Sequence, residues 1–522
     1  MDFIPKLVMD LIFSWGRMFT ALALSIAFSI AVGVTAATSK RAENVLIPVI
    51  DVLQTIPILG FFPVVIYLVV LLVPGYVGIN AAVVFLIFTS MAWNITFGVY
   101  EAVKSIPDEL IEVARISHLT KFQMLRSIYV PAAMPRIAYQ SAISWSVGLF
   151  YLVTSEIFST GSSNFAVQYG IGTEIANLVL MKDALTYATA IGFFILAVLL
   201  TRWLFIRPLA IYSEKFSFKE EQRASKRSSV LAFYSGVGRF IEKHMPIVTV
   251  EFKNQGEKKR QPLKTGEAAD SKGISAGMVS AAIVSTFIVV SAAAIILTND
   301  YAFAPQLLAA LGLSFARVWG MYLICAAIAI PVGIKVAKSA KSYETVFAVL
   351  QIVASIPATI LLPAIVALLL VMPFGNELTA LAIIFFAMIW YLLFSVIAGV
   401  RTIPEQFGEL LSIYKVGWVR AWREIYIPAI LPSFVTGSIT AIGGAWNALI
   451  VAEYFSVGSG ASTTVMTQVG GGIGKLLDLA TFQGSLMHMF LALAAMVVMV
   501  MVINRLVWQR LYRHVTLKYR IE

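Results

Sequence analysis

The feature that most constrains this chain is a series of apolar runs, each on the order of 20 residues, the length at which a helix crosses a bilayer. They fall near residues 18–38, 45–73, 79–100, 133–155 and 184–206, and again near 278–298, 316–338, 345–372, 378–400, 429–452 and 484–507. Lipid offers no partner for unpaired backbone groups, so each run is expected to be helical. The expected fold is an all-α polytopic membrane protein with about eleven spans. Composition agrees, because 59% of the 522 residues are hydrophobic and only 13% are charged, about half the charged share of a soluble chain.

The net charge of +11 is accounted for by basic loops on the cytoplasmic side of a membrane, and no nucleic-acid partner is expected. The single cysteine, Cys325, lies inside an apolar run, so no disulfide forms within the chain. His118, His244, His488 and His514 lack metal-ligand spacing, so neither a metal nor a cofactor is expected. The opening MDFIPKLVMDLIFSWGRMF lacks the charged start and small-residue cleavage site of a secretory signal and reads as part of the mature protein.

The chain repeats itself. Arg17, Gly33, Pro57 and Pro63 match Arg317, Gly333, Pro357 and Pro363 at an offset of 300. After a three-residue slip, Pro107, Glu112, Pro131, Pro135 and Glu156 match Pro404, Glu409, Pro428, Pro432 and Glu453 at 297. So many punctuating residues in register indicate duplication. The expected organisation is a first transmembrane domain over 1–206, a linker over 207–277, and a second transmembrane domain over 278–522 with one extra span at its start. The linker carries 14 Lys or Arg against 8 Asp or Glu, the composition of a solvated tether. Within it, VLAFYSGVGRFI at 230–241 reads either as a membrane-surface insert or as plain linker.

Lys and Arg gather in the linker, at Lys40 and Arg41, in 101–127 and 401–424, and from Arg505 onward, whereas the loops near 73–78 and 373–377 have none. The basic segments are therefore expected in the cytoplasm. An odd number of spans then puts the N-terminus outside, and the extra span lets the second half restart in the orientation of the first. The halves are expected to be parallel repeats in a plasma or inner membrane, with lipid as their main surroundings.

Each half has one ordered cytoplasmic segment, SIPDELIEVARISHLTKFQMLRSIYVPAAMP from Ser105 and TIPEQFGELLSIYKVGWVRAWREIYIPAILP from Thr402. Ser105 with Asp108, and Thr402 with Glu405, flank a proline as helix-start signals. A short helix, a basic and aromatic stretch, and a proline opening the next span follow. One copy alone reads as an ordinary amphipathic connector; two copies at matched positions read as a functional element.

The two segments resemble the coupling-helix motif of ABC importer permeases, EAA, three residues, G, nine residues, I, one residue, LP. Glu112, Ala114, Ile128 and Pro131 fit it in the first copy, and Glu409, Ile425 and Pro428 in the second. The glycine is replaced by His118 and by Lys415, and the second copy has Leu410 and Leu411 for the alanines. Downstream, SEIFSTGSS and AEYFSVGSG are followed by GIGTEIANL and GIGKLLDL, and NRLVWQRLYR closes the chain. This succession resembles the nitrate, sulfonate, taurine and bicarbonate branch of those permeases, duplicated and fused. The resemblance implies two tandem type I importer transmembrane domains, a pair of separate ATPase subunits docked on the two short helices, an extracytoplasmic binding protein, and a small anion as solute. It implies no ATPase in the chain itself. GGGIGKLL at 470–477 imitates a phosphate loop, but Val469 stands at its first glycine position and Leu476 where Ser or Thr is required. His118 and Lys415 also make the two docking sites unequal, so a heterodimeric ATPase is one expectation and drift at a tolerant position the other.

Polar residues in spans mark either a water-lined path or a helix contact. Gln54, Thr55, Asn94, Ser144 and Ser155 in the first half, and Ser355, Ser438 and Asn447 in the second, are the candidates for the path. Pro57, Gly60 and Pro63, with Pro357 and Pro363, are expected to break the second span of each half. Glu156 and Glu453 read first as structural pairs or caps and second as solute contacts. Trp145, Trp203, Trp446 and Trp508 read as interfacial or packing residues. Two other classes compete. An ion-gradient-driven transporter with parallel repeats would carry paired carboxylates in mid-membrane, and a membrane enzyme would carry clustered His and Asp; the spans carry neither.

Overall fold

The computed structural model describes residues 3–160, 167–180, 184–213, 276–298, 301–338, 343–354, 356–369, 372–403, 407, 413–414, 417–457 and 464–518. The linker beyond 213, with its apolar insert, lies outside the described residues.

Each of the eleven apolar runs is mainly helical over its described residues. The first half comprises α1 (Phe3–Thr38), α2 (Lys40–Thr55), α3 (Ile58–Leu72), α4 (Tyr76–Lys104), α5 (Asp108–Ile116), α6 (Lys121–Met124), α7 (Val130–Thr160), α8 (Ile171–Leu180), α9 (Ala184–Thr201) and α10 (Arg207–Ser213). The run expected to form the extra span is helix α11 (Ala276–Thr298). The second half follows as α12 (Phe303–Lys338), α13 (Tyr343–Ala354), α14 (Ala358–Leu369), α15 (Gly375–Arg401), α16 (Trp418–Ala421), α17 (Ile427–Glu453), α18 (Ile473–Phe482), α19 (Leu486–Ile503) and α20 (Gln509–Lys518). Strand structure among the described residues is one antiparallel hairpin, β1 (Tyr454–Val457) with β2 (Thr464–Gln468). Seven helical segments among the described residues are long and apolar enough to cross a membrane unbroken.

The duplication is structural as well as sequential. α1 and α12 both span 36 residues, displaced by the 300-residue offset of the sequence repeat. Both begin further upstream than the apolar runs that announce them, because residues 3–17 and 303–315 mix polar side chains into the first turns.

The second apolar run of each half is broken. α2 stops at Thr55 and α3 starts after Pro57, while α13 stops at Ala354 and α14 starts after Pro357. Proline has no N–H to donate and disfavours helix in the residue before it. Gly60 lies inside α3 rather than at the break, and its role is close packing: a Cβ there would collide with the Met496 side chain of α19.

Within each half the first and fourth helices cross closely through small residues, the usual basis of helix contact in lipid. A Cβ on Gly33 would sit 2.9 Å from Val99, and one on Gly333 would sit 2.6 Å from Val396. Ser29 of α1 donates to the Ala92 carbonyl at 3.1 Å and lies 2.9 Å from Thr96 Oγ1. Between the halves, each broken helix packs on the other half: α3 on α17, α18 and α19, and α14 on α7 and α8. The Leu59 N–H of α3 donates to Asn447 Oδ1 of α17 at 3.4 Å, and Tyr187 of α9 donates to the Ile360 carbonyl of α14 at 3.2 Å. α11 packs against α2 of the first half and α19 of the second. Leu24, Ile288, Leu323 and Ile324 are at least half exposed, as lipid-facing side chains are.

Candidate functional site

Three arrangements carry chemistry: a buried ion pair at one end of each half, a short helix at the other end of the first half, and a cavity between the halves.

Arg17 of α1 and Glu156 of α7 form a buried pair, Nη1 to Oε1 at 2.6 Å, with Glu156 wholly inaccessible. Glu156 also accepts from Ser14 Oγ at 2.7 Å and from the Gly172 N–H at 2.8 Å, and Ser14 Oγ accepts from the Ile171 N–H at 3.0 Å. The guanidinium fork is completed by Asn80 Oδ1 at 2.7 Å and the Tyr169 carbonyl at 2.6 Å. The second half repeats this. Glu453 accepts from Arg317 at 2.7 Å, Ser314 at 2.5 Å and the Gly474 N–H at 2.7 Å, and Ser314 accepts from the Ile473 N–H at 2.9 Å. One partner differs: Glu377, the counterpart of Asn80, binds the Arg317 fork through both carboxylate oxygens at 2.8 Å.

The glycines of the GIG turns now have a physical reason. A Cβ on Gly170 would lie 2.7 Å from the Glu156 carboxyl carbon, and one on Gly172 would lie 2.9 Å from the Val153 carbonyl. Only glycine lets backbone approach the carboxylate so closely. The phosphate-loop imitation in the second half is the same turn, and its Gly474 N–H donates to the chain's own Glu453 while its Ile473 N–H donates to Ser314.

At the other end of the first half, α5 begins after Pro107 with Asp108 and Glu109 in its first turn, where acids suit the helix dipole. It ends in a Schellman turn: the Leu119 N–H bonds the Ala114 carbonyl at 3.2 Å and the His118 N–H bonds the Arg115 carbonyl at 3.0 Å. His118, at the motif's glycine position, therefore sits at φ +52°, a left-handed conformation that favours glycine. His118→Gly should stabilise this turn by about 1 kcal/mol, measurable as slower amide exchange at Leu119; unchanged exchange would contradict the strain. Thr120 and Gln123 then form a capping box that starts α6.

A single five-residue π-turn, Leu125–Tyr129, joins α6 to α7, with the Val130 N–H reaching back to the Leu125 carbonyl. The second half has its counterpart at Trp422–Tyr426, and the last span of each half ends in another, Arg202–Ile206 and Asn504–Trp508. Pro131, Pro428 and Pro208 each stand two residues beyond a π-turn; at the fourth the residue is Arg510. A helical proline clashes with the carbonyl four residues back, here inside the π-turn, and the wider turn relieves the clash. Such turns concentrate at functional sites.

Nearby, Glu43 at the start of α2 accepts from Tyr100 at 2.6 Å and Lys104 at 3.0 Å, tying α2 to the end of α4. Burial pushes its carboxyl up, but the bonds from Tyr100, Lys104 and Lys40 outweigh burial and hold it below the ordinary carboxylate range.

Between the halves lies a cavity of about 530 Å³, walled by α7, α9 and the first half's second π-turn on one side and by the α13–α14 break, α15 and α17 on the other.

Two stretches of the chain, residues 7–206 and 329–516, match the family of the binding-protein-dependent transport system inner membrane component. The chain belongs to that family. It does so twice over, as a fused duplicate. This inner membrane component is 26% identical over 147 residues to a nitrate import permease protein of Leptolyngbya laminosa, covering 28% of the chain and 51% of the relative. It is 32% identical over 151 residues to a bicarbonate transport system permease protein of Synechocystis, covering 28% and 50%. The chain thus spans about half the length of these relatives. A trimethylamine N-oxide transport system permease protein of Ruegeria pomeroyi is 24% identical over 498 residues, 87% of this chain and 71% of the relative. No solved structure matches the chain.

The candidate residues lie as follows. Glu112 and His118 are exposed on and just after α5, Ala114 is buried beneath it, and Ile128 and Pro131 are half-buried in and after the π-turn. Ile425 and Pro428 occupy the matching places in the second half, whereas Glu409 and Lys415 lie outside the described residues. Of the path candidates, Asn447 lines the cavity. Ser144 donates to the Met91 carbonyl at 3.5 Å and Ser155 to the Leu152 carbonyl at 2.9 Å, while Ser438 lies 2.9 Å from the Tyr322 hydroxyl. Gln54 donates to Asp51 at 2.9 Å, and Asn94 is half-buried on α4. Ser355 and the Thr55 side chain lie outside the described residues. Sequence reasoning missed Ser14, Ser314, Asn80 and Glu377, and the aromatic cavity wall. Ser14 and Ser314 carried a readable signal, since they share the 300-residue offset of Arg17 and Arg317.

Proposed function

We propose that this chain is the membrane-spanning permease of an ATP-driven importer for a small anion. The observation that carries the reading is the pair of matched segments joined through π-turns and prolines to α7 and α17, both of which border the inter-half cavity. From Lys121 in the first half and from Trp418 in the second the chain runs as unbroken helix into α7 and α17, so a push there reaches the cavity wall. The first segment also exposes apolar surface at Val113, Ile116 and Phe122, and the second at Ile413, Tyr414 and Val419, as docking surfaces do. Two separate ATPase subunits occupy those surfaces, and an extracytoplasmic binding protein delivers the solute at the opposite end. The linker and C-terminus face the cytoplasm and the N-terminus faces outside. Residues 1–206 and 278–522 act as two transport units joined by the tether.

The arginine-locked state of Glu156 and Glu453 argues against a gradient-driven carrier, which needs carboxylates that exchange protons or ions. The anion assignment draws on the nitrate and bicarbonate relatives. Proteoliposomes holding the chain, its ATPase and its binding protein should take up labelled anions only with ATP inside. Uptake driven by a proton or sodium gradient without the ATPase would overturn the reading, and uptake of a cation alone would overturn the anion claim.

A further inference from the structure

The polar groups that a wall keeps ready for a solute are those with accessible surface and no protein partner. The inter-half cavity presents four hydroxyls, those of Tyr139, Ser146 and Tyr151 on α7 and of Tyr391 on α15. None of them has a hydrogen-bond partner among the described residues. Tyr139 and Ser146 are exposed residues. Tyr151 is only 4% exposed, yet its hydroxyl is not sealed as the Trp145 indole N–H in the same wall is, so the surface it keeps opens on the cavity. Half-buried Tyr391 likewise keeps its hydroxyl accessible. The Tyr151 and Tyr391 hydroxyls, one from each half, are near enough to interact electrostatically.

These hydroxyls depart from what their neighbours do. Ser144 and Ser155 of the same helix spend theirs on nearby carbonyls. Asn447, in the opposite wall, engages both ends of its amide, accepting from the Leu59 N–H and donating to the Gly443 carbonyl. The arrangement is also one-sided. At the 297-residue offset, Ser146 and Tyr151 correspond to Gly443 and Ala448 of α17, and Tyr391 corresponds to Asn94 of α4, none of which lines the cavity. A Cβ on Gly444 would sit 3.3 Å from the Tyr391 ring, so glycine there leaves the ring its place.

We propose that Tyr151 and Tyr391, assisted by Ser146 and Tyr139, hold a small oxyanion in this cavity by donating hydroxyl hydrogen bonds in place of part of its water shell. The assignment rests on the transport reading above and adds the residues that read the solute. Hydroxyl hydrogens rotate to meet an acceptor, and a bond donated to an anion is stronger than one between neutral groups. No Asp or Glu occurs among the lining residues to repel the solute. The cavity of about 530 Å³ leaves room for an oxyanion together with several waters, each of which takes about 30 Å³. Neutral donors suit transit, because a solute on a path must bind well enough to enter and weakly enough to leave.

The test removes single hydroxyls and leaves the rings. In proteoliposomes holding the chain, its ATPase and saturating binding protein, uptake of labelled nitrate or bicarbonate should fall about tenfold in Tyr151→Phe and in Tyr391→Phe, and further in the double variant. ATP hydrolysis should stay near the wild-type rate, because the segments proposed to dock the ATPase are untouched. Ser146→Ala, at an exposed position, should lower uptake in the same sense. Thr436→Val on α17 should change neither rate, since Thr436 does not line the cavity and its hydroxyl bonds the Pro432 carbonyl. Wild-type uptake by the double variant would overturn the assignment, and so would uptake and hydrolysis falling in parallel, which would mark a packing role. If the wild-type complex itself takes up neither anion, the anion reading falls and this assignment with it; if it does and the double variant matches it, only the hydroxyl assignment falls.

Discussion

Arg17→Ala should destabilise the protein by about 3–5 kcal/mol, the cost of leaving one member of a buried ion pair without its partner. The substitution strips Glu156 of its guanidinium in a site with no solvent access and also frees Asn80 and the Tyr169 carbonyl. Arg317→Ala should cost at least as much, because Glu377 loses both of its bonds as well. The charge alone is insufficient: Arg17→Lys keeps it but cannot serve Glu156, Asn80 and Tyr169 at once, so an intermediate loss is expected. Denaturant or thermal unfolding of the purified chain measures this directly. The internal comparison is Arg420→Ala, which removes an exposed pair with Glu424 and should change stability by less than about 1 kcal/mol. If Arg17→Ala and Arg420→Ala prove equally mild, the buried pair does not hold the end of the bundle together.

Ile116→Asp combined with Ile413→Asp should abolish ATP-driven uptake while leaving the fold intact. The two side chains are 77% and 70% exposed, so a carboxylate at either place meets water in the isolated chain and costs little. In the complex each carboxylate would be buried against an ATPase subunit, and an anchor lost at an interface centre costs roughly 2–4 kcal/mol. Two such losses weaken docking beyond use. Each single variant should retain partial coupling, and unequal losses would reveal non-equivalent sockets, as would unequal effects of Glu112→Ala and Glu409→Ala. Full uptake by the double variant would show that these surfaces are not the docking sites.

The helical membrane fold was legible because lipid enforces it: an apolar run of bilayer length admits only one backbone solution. The duplication was legible from the spacing of Arg, Gly, Pro and Glu, and the breaks in the second spans from Pro57 and Pro357. The buried pair was half legible. Arg17 and Glu156 each stood out as repeat-matched residues, but they carry different offsets, 300 and 297, and nothing in one sequence says that residues 139 apart meet. The path candidates illustrate the opposite difficulty. A serine in a span satisfies itself on a nearby carbonyl, as Ser144 and Ser155 do, so polarity alone does not mark a cavity. The cavity wall is instead made of Trp390, Tyr391 and Phe394, residue types that also fill any helical interior. Three of the four π-turns are followed two residues on by a proline, Pro131, Pro208 and Pro428, but the fourth is followed by Arg510, and Pro331 lies in ordinary α-helix, so proline alone does not announce the turn.

On the proposed function, one fused chain supplies both coupling sites and both walls of a single pathway. Native mass spectrometry of the complex purified with its ATPase tests it most directly. One copy of this 57.0 kDa chain is expected for every two ATPase domains; two copies of the chain per ATPase pair would contradict the proposed function.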